Sequence, residues 1–225
     1  NAVFSYEGCD GPCTTDWVRA RLPGALAFES RTMCWEVFDA KLAQMRGVVE
    51  EWVVGDGIQS PSVQLRVTPT GELETISTHD QALGGPNGQV FLGCSFPADA
   101  AYALEVQELG RRAGKVLAGR GVLGRFAVDF VSVPQPDGSW RHHAIEINLR
   151  KGGTTHTYQW LQFMTGGHYD AGQARFRTPA GLERCYTASD NLLNPAYRRL
   201  GAADLIDVAV MNGLHFDHTA QPGVV

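Results

Sequence analysis

Trp35, Phe38, Leu42 and Met45 recur at spacings of three, four and three residues. Apolar side chains so spaced fall on one side of a 3.6-residue turn, so the pattern predicts a helix with Thr32 as its N-cap and Gly47 as its stop. The period then changes. The runs 48–54, 63–67 and 74–78 are β-rich and bounded by Gly, Pro or Asn, which predicts consecutive antiparallel strands. Tyr102, Val106, Leu109, Ala113, Val116 and Leu117 trace a second helical face, opened by Pro97 and Asp99 and closed by Gly119 and Gly121. Beyond Thr154 the order reads as a helix, irregular strands around Phe176 and Tyr186, and short helices over 195–200 and 203–211. Asn1 leads directly into the strand-like 2–6, and 222–225 stops as another strand begins, so both ends read as cuts.

Between Gly124 and Arg150 two alternating runs flank Pro136-Asp137-Gly138-Ser139, and Asp-Gly between such runs predicts a β-hairpin. A loop symmetric about Asp137 and Gly138 sets Asp129 opposite Glu146, Ala127 opposite Asn148 and Arg125 opposite Arg150. Side chains alternate along a strand, so Phe126, Val128, Phe130, Ile145, Ile147 and Leu149 share one face, expected to join the core. The other face carries Arg125, Asp129, Glu146, Asn148 and Arg150. Two directly opposed carboxylates repel unless a cation lies between them, and oxygen ligands of this kind suit Mg²⁺ or Mn²⁺. Two opposed arginines become favourable once an anion such as phosphate bridges them. A merely solvated strand face is the bland alternative, against which stands the clean sorting of Glu146-x-Asn148-x-Arg150 between aliphatic residues.

Composition narrows the functional classes. The 225 residues are 44% hydrophobic and 19% charged, enough to build a core. A net charge of −5, from 19 basic and 24 acidic side chains, offers no broad footprint for nucleic acid. The longest uncharged stretch, 81–98, is interrupted by Gly84, Gly85, Pro86, Asn87 and Gly88, so no membrane span is expected. Five cysteines, Cys9, Cys13, Cys34, Cys94 and Cys185, are few, odd in number and without C-x-x-C spacing. That argues against a disulfide framework and structural zinc, and makes a reducing cytoplasm the default location.

The segment Gly124-Arg125-Phe126-Ala127-Val128-Asp129-Phe130-Val131, followed by Ala144-Ile145-Glu146-Ile147-Asn148-Leu149-Arg150, resembles the ATP-grasp superfamily of carboxylate–amine and carboxylate–thiol ligases. The resemblance implies an α+β fold of antiparallel sheets with flanking helices, truncated at both ends. It implies that Asp129, Glu146 and Asn148 hold two Mg²⁺ ions that bridge the phosphates of ATP, and that Arg150 contacts the transferred phosphoryl group. Val49-Glu50-Glu51-Trp52-Val53 resembles the family's hinge strand, which places Glu50, Glu51, Trp52 and Val53 at the adenine, and Gln81 and Arg125 join the nucleotide contacts. Residues 1–55 then close a nucleotide-binding subdomain, and 56–225 form the metal and substrate subdomain. Within the superfamily, Ser60-Pro61-Ser62-Val63-Gln64, Thr78-His79-Asp80-Gln81, Gly93-Cys94-Ser95-Phe96-Pro97-Ala98 and Arg150-Lys151-Gly152-Gly153-Thr154-Thr155-His156 are most similar to the peptide ligases of pheganomycin-type biosynthesis. The family's glycine-rich phosphate loop and its lysine would precede residue 1, in a missing N-terminal part of the same enzyme. Thr155 before His156, where biotin-dependent carboxylases carry an acid, speaks against bicarbonate chemistry.

Other candidates carry less. His215-Phe216-Asp217-His218 offers metal ligands, but a fold-closing loop explains it as well. His142 and His143 point to opposite strand faces and are expected at the surface. His79 reaches ribose or a metal-bound water, or makes a structural hydrogen bond, and Cys94 reads as a small core residue. Lys41 and Lys115 fall on predicted helices, where a solvated role is expected, and Lys151 lies next to the phosphate end.

The resemblance therefore implies an ATP-dependent ligase joining a carboxylate to an amine through an acyl phosphate, on a peptide or amino-acid-like substrate. An ATP-binding regulatory or scaffold module without catalysis is the alternative. A metal-dependent phosphoesterase is a third reading.

Overall fold

The computed structural model describes residues 1–9, 11 and 14–224. Its strands are β1 (Ala2–Phe4), β2 (Leu26–Phe28), β3 (Pro61–Val67), β4 (Leu73–Gly84), β5 (Val90–Phe96), β6 (Gly124–Pro134), β7 (Trp140–Asn148), β8 (His168–Asp170), β9 (Arg175–Arg177) and β10 (Tyr186–Ser189). Its α-helices are α1 (Thr15–Ala25), α2 (Trp35–Met45), α3 (Ala103–Gly119), α4 (Gly153–Thr165) and α5 (Ala202–Met211), with a 3₁₀ turn at Pro195–Arg199. The chain divides into two units, one of Asn1–Gly55 with Leu83–Phe91, the other of Asp56–Ala82 with Leu92–Val225.

In the first unit β1 and β2 form an antiparallel pair, and Phe28 meets Phe38 of α2 edge to face at 5.2 Å. Helix α2 forms where the apolar spacing places it, but its N-cap is Cys34, not Thr32. The expected strand at 48–54 does not form. No described strand pairs with it, and a lone extended segment has no ladder partner for its N–H and C=O groups. Cys34, Cys94 and Cys185 are free thiols, whereas Cys9 is disulfide-bonded, so the reduced state expected for the cysteines does not hold throughout. Cys13 lies outside the described residues.

The second unit is built on a six-stranded sheet of order β10-β5-β4-β3-β6-β7. Its main core lies between one sheet face, with Val63, Leu65, Val67, Phe126, Val128 and Phe130, and helix α3, with Ala103, Val106 and the N-cap Tyr102. Gly110 and Gly114 let the helix lie close, since a Cβ at Gly110 would stand 2.9 Å from Val63 Cβ. A second cluster gathers Phe96, Tyr158 of α4 and Phe176 of β9, with Tyr169 and Tyr186 packed against it. No helix among the described residues is long and apolar enough to cross a membrane.

The β6–β7 hairpin reaches the expected register at its functional end by an unexpected route. Its loop holds three residues, not two: Gln135 N donates to Ser139 O at 2.8 Å, and Gly138 takes the left-handed φ of 85° that such a loop requires. The ladder thus runs one residue out of the symmetric register as far as Phe130↔Ala144. Ile145 is then an extra residue without a partner, and this bulge restores Asp129↔Glu146 and Ala127↔Asn148.

Two expectations for this hairpin fail. Val128 is 1% exposed, but Ile147, its register partner, is 49% exposed, and Ile145 and Leu149 are exposed with it. β7 is the edge of the sheet, and α3 packs on β3 and β6, leaving the apolar face of β7 outside the core. Nor do Arg125 and Arg150 oppose each other, because β7 ends at Asn148; the residue facing Arg125 is Arg66 of β3.

Candidate active site

Register pairs align side chains across the sheet, and one row reads His79 of β4, Ser62 of β3, Asp129 of β6 and Glu146 of β7. The next row holds Gln64, Ala127 and Asn148. Ser62 and Gln64 alternate with Val63 and Leu65, so β3 turns its apolar residues to α3 and its polar residues to the same face as the carboxylates.

Hydrogen bonds tie these rows together. Gln64 Nε2 donates to Ser62 Oγ at 2.9 Å, and Ser62 Oγ donates to Asp129 Oδ1 at 2.5 Å. Asn148 Nδ2 donates to Asp129 Oδ2 at 2.9 Å and to Glu146 Oε2 at 3.1 Å. One amide nitrogen thus lies between two carboxylates, where the sequence predicts a cation. Burial pushes the Asp129 carboxyl above the ordinary carboxylate value, as does Glu146, while the Ser62 and Asn148 bonds and the Arg150 charge pull it back. Arg150 therefore acts electrostatically on Asp129, although its guanidinium is exposed and donates to Lys151 O at 3.2 Å.

The structure brings together Asp129, Glu146, Asn148 and Arg150. Gln81 lies on β4 two residues past His79, on the same face and half-buried. Arg125 lies four residues before Asp129 on β6, also on that face. Glu50, Glu51, Trp52 and Val53 belong to the first unit, in a segment without regular secondary structure. Ser62 and Gln64 were read from sequence only within the 60–64 segment of the resemblance and not as site residues; the signal for that role was their polarity at alternate positions of an otherwise apolar strand.

The histidines resolve differently from one another. His79 is fully buried, and its Nε2 shares a hydrogen bond of 2.9 Å with the Tyr186 hydroxyl, which fits its structural reading. Burial lowers its pKa to about 3. His142 is not at the surface: its side chain is buried between Ser132 Oγ, 2.7 Å from Nδ1, and Glu105 Oε2, 3.2 Å from Nε2. The three-residue loop and α3 together bring it inside, which alternation alone does not show. Cys94 is buried, and burial pushes its thiol up to about 11, so it has no thiolate to offer. Among the described residues no group of three or more His, Cys, Asp or Glu is arranged to hold a metal, and His215, Asp217 and His218 form no such centre.

A family model described as IQCH-like, ATP-grasp, matches residues 24–172, more than half of the chain. L-propargylglycine–L-glutamate ligase of Streptantibioticus cattleyicolor is 32% identical over 189 residues, covering 84% of this chain and 37% of that protein. IQ motif-containing protein H of Danio rerio is 24% identical over 155 residues, covering 68% of this chain and 14% of that protein. The biotin carboxylase of Campylobacter jejuni, solved as a β-γ-ATP complex, has a TM-score of 0.42 at 16% identity, over 59% of this chain and 28% of that one. The chain spans little more than a third of the first curated relative and less of the others. With the family model matched across the β6–β7 hairpin and its paired carboxylates, the chain belongs to the ATP-grasp family.

Proposed function

We propose that the chain belongs to an ATP-dependent ligase that joins a carboxylate to an amine on a peptide or amino-acid-like substrate, with residues 56–225 handling metal and substrate. The observation that carries this reading is the convergence of Asp129, Glu146 and Asn148, with Arg150 close enough to act on Asp129. The relative named for joining L-propargylglycine to L-glutamate supports the substrate class. In this reading residues 1–55 belong to the nucleotide-binding part, where Glu50, Glu51, Trp52 and Val53 meet the adenine.

The donor set fits a hard divalent cation. Asp129 and Glu146 supply carboxylate oxygens, and Asn148 supplies an amide whose oxygen and nitrogen exchange places on a half-turn about its last torsion. Mg²⁺ or Mn²⁺ held there would offset the charge of the ATP phosphates. The chain's own residues do the rest. Ser62, itself held by Gln64, fixes Asp129, and Arg150 steadies the charge of the phosphoryl group as it passes to the acceptor carboxylate. The amine nitrogen then attacks the acyl carbon of that acyl phosphate, the amide forms and phosphate leaves. No side chain serves as a nucleophile, because positioning and electrostatics suffice.

The test uses the full-length protein with ATP, Mg²⁺ and pairs of amino acids. ADP release that requires both a carboxylate and an amine supports the ligase. Nucleotide binding without ADP release from any pair would favour a non-catalytic nucleotide-binding module, and phosphoester hydrolysis without an acceptor would favour a phosphoesterase.

A further inference from the structure

Arg125, which the resemblance sets among the nucleotide contacts, is not engaged by the metal cluster, and its surroundings assign it a different ligand. It stands directly opposite Arg66 of β3, a like-charge pair that is unfavourable in isolation. Arg66 is held by Glu74, with Nε to Oε2 at 2.7 Å, whereas Arg125 makes no hydrogen bond or ion pair with any described residue. Arg125 is also half-buried beside Tyr158, and burial first and Arg66 second disfavour its charge. The Glu74 charge offsets this only in part, and a desolvated guanidinium without a hydrogen-bond partner is costly unless an anion completes it.

We propose that Arg125 and Arg66 form a second anion site, which holds a substrate carboxylate other than the one that is activated. Charge selects the ligand. Glu74, Arg66 and Arg125 sum to a single positive charge, which one carboxylate neutralises and a phosphate dianion overfills. Shape agrees, since a planar carboxylate matches the fork of a guanidinium. Tyr158, whose hydroxyl burial pushes up to about 12, remains neutral beside it. Position agrees as well: four residues of strand separate Arg125 from Asp129 by about 13 Å at Cα, so the two sites take different parts of one substrate. The Arg66 and Glu74 side chains are 45% and 39% exposed, which leaves the site open to solvent. The substrate class is thus a dicarboxylate of the acidic amino acid kind. This rests on the ligase reading for its place in a reaction, but not for its binding.

Calorimetric titration of the full-length protein decides it, with L-glutamate, L-aspartate and glutarate as probes, L-glutamine as the control lacking one carboxylate, and ATP·Mg²⁺ as the nucleotide control. At least one dicarboxylate should bind, and Arg125→Ala should weaken it about 30-fold while leaving ATP·Mg²⁺ within twofold. Arg66→Gln should weaken it similarly, because Glu74 is then free to neutralise Arg125, and this variant keeps the proposal testable should Arg125→Ala not fold. Loss of ATP·Mg²⁺ affinity in Arg125→Ala would overturn the proposal in favour of a phosphate contact. Unchanged dicarboxylate affinity in the folded variants, or no dicarboxylate binding by the unaltered protein, would also overturn it. Arg125-dependent binding without ADP release under any condition would instead sink the ligase reading alone.

Discussion

Ser62 faces Asp129 across the β3–β6 ladder and donates its hydroxyl proton to Asp129 Oδ1 at 2.5 Å. Ser62 Oγ in turn accepts from Gln64 Nε2, so a serine on a strand outside the hairpin sets the direction of a carboxylate within it. Ser62→Ala should therefore weaken Mn²⁺ binding about tenfold or more in the presence of ATP, as removal of a ligand's supporting hydrogen bond does elsewhere. Electron paramagnetic resonance titration of free Mn²⁺ measures this. Affinity equal to that of the unaltered protein would show that Asp129 needs no such support.

The pairing of Val128 with Ile147 yields a stability test. Both are apolar and share a register position, but only Val128 is covered. Val128→Ala should cost about 2 kcal/mol, whereas Ile147→Val should stay within about 0.5 kcal/mol. Urea denaturation separates them, and a large loss at Ile147 would mean that β7 is covered in solution.

Much of the hairpin was legible because alternation and Asp-Gly are local signals, and the Asp129–Glu146 pairing followed from them. The agreement came through two opposite deviations, a loop one residue longer and an extra residue at Ile145, neither of which periodicity encodes. Alternation also tells which residues share a face without telling what lies over that face, so Ile147 was expected inside and His142 outside. Helix α1 was illegible for a different reason: Pro23 sits inside it and its apolar residues follow no clear period. The run 48–54 has strand composition but no partner, and strand formation is decided by the partner.

Helix α3 approaches the sheet through Gly110, where a Cβ would meet Val63 at 2.9 Å. Gly110→Ala should destabilise by about 1–3 kcal/mol despite the better helix propensity of alanine. Gly119→Ala, with nothing within 4 Å, serves as the control and should be neutral or stabilising. Equal effects at the two positions in chemical denaturation would contradict the close packing.

His79 gives the fold a pH dependence. Its folded pKa of about 3 lies below the unfolded value of 6.5, so over that window the unfolded chain takes a proton that the native state refuses. Stability should fall as pH drops from 6.5, by at most about 1.4 kcal/mol per unit. Asp80 and Asp129 act in the opposite sense. Their raised pKa values mean that the native state binds protons first, which offsets part of the loss just above the ordinary carboxylate range. Denaturation of His79→Phe across this range should show a flatter profile than the unaltered protein; parallel profiles would show that His79 is protonated in the native state.

The central claim is that Asp129, Glu146 and Asn148 hold the metal that serves ATP. Its most direct measurement is Mg²⁺-dependent ADP release by the full-length protein and by Glu146→Gln, with melting temperatures recorded alongside. The account predicts that turnover falls at least about 100-fold, while the melting temperature changes little, since Glu146 is exposed and its carboxylate contributes small stability. Undiminished turnover in Glu146→Gln would contradict it and place the metal elsewhere.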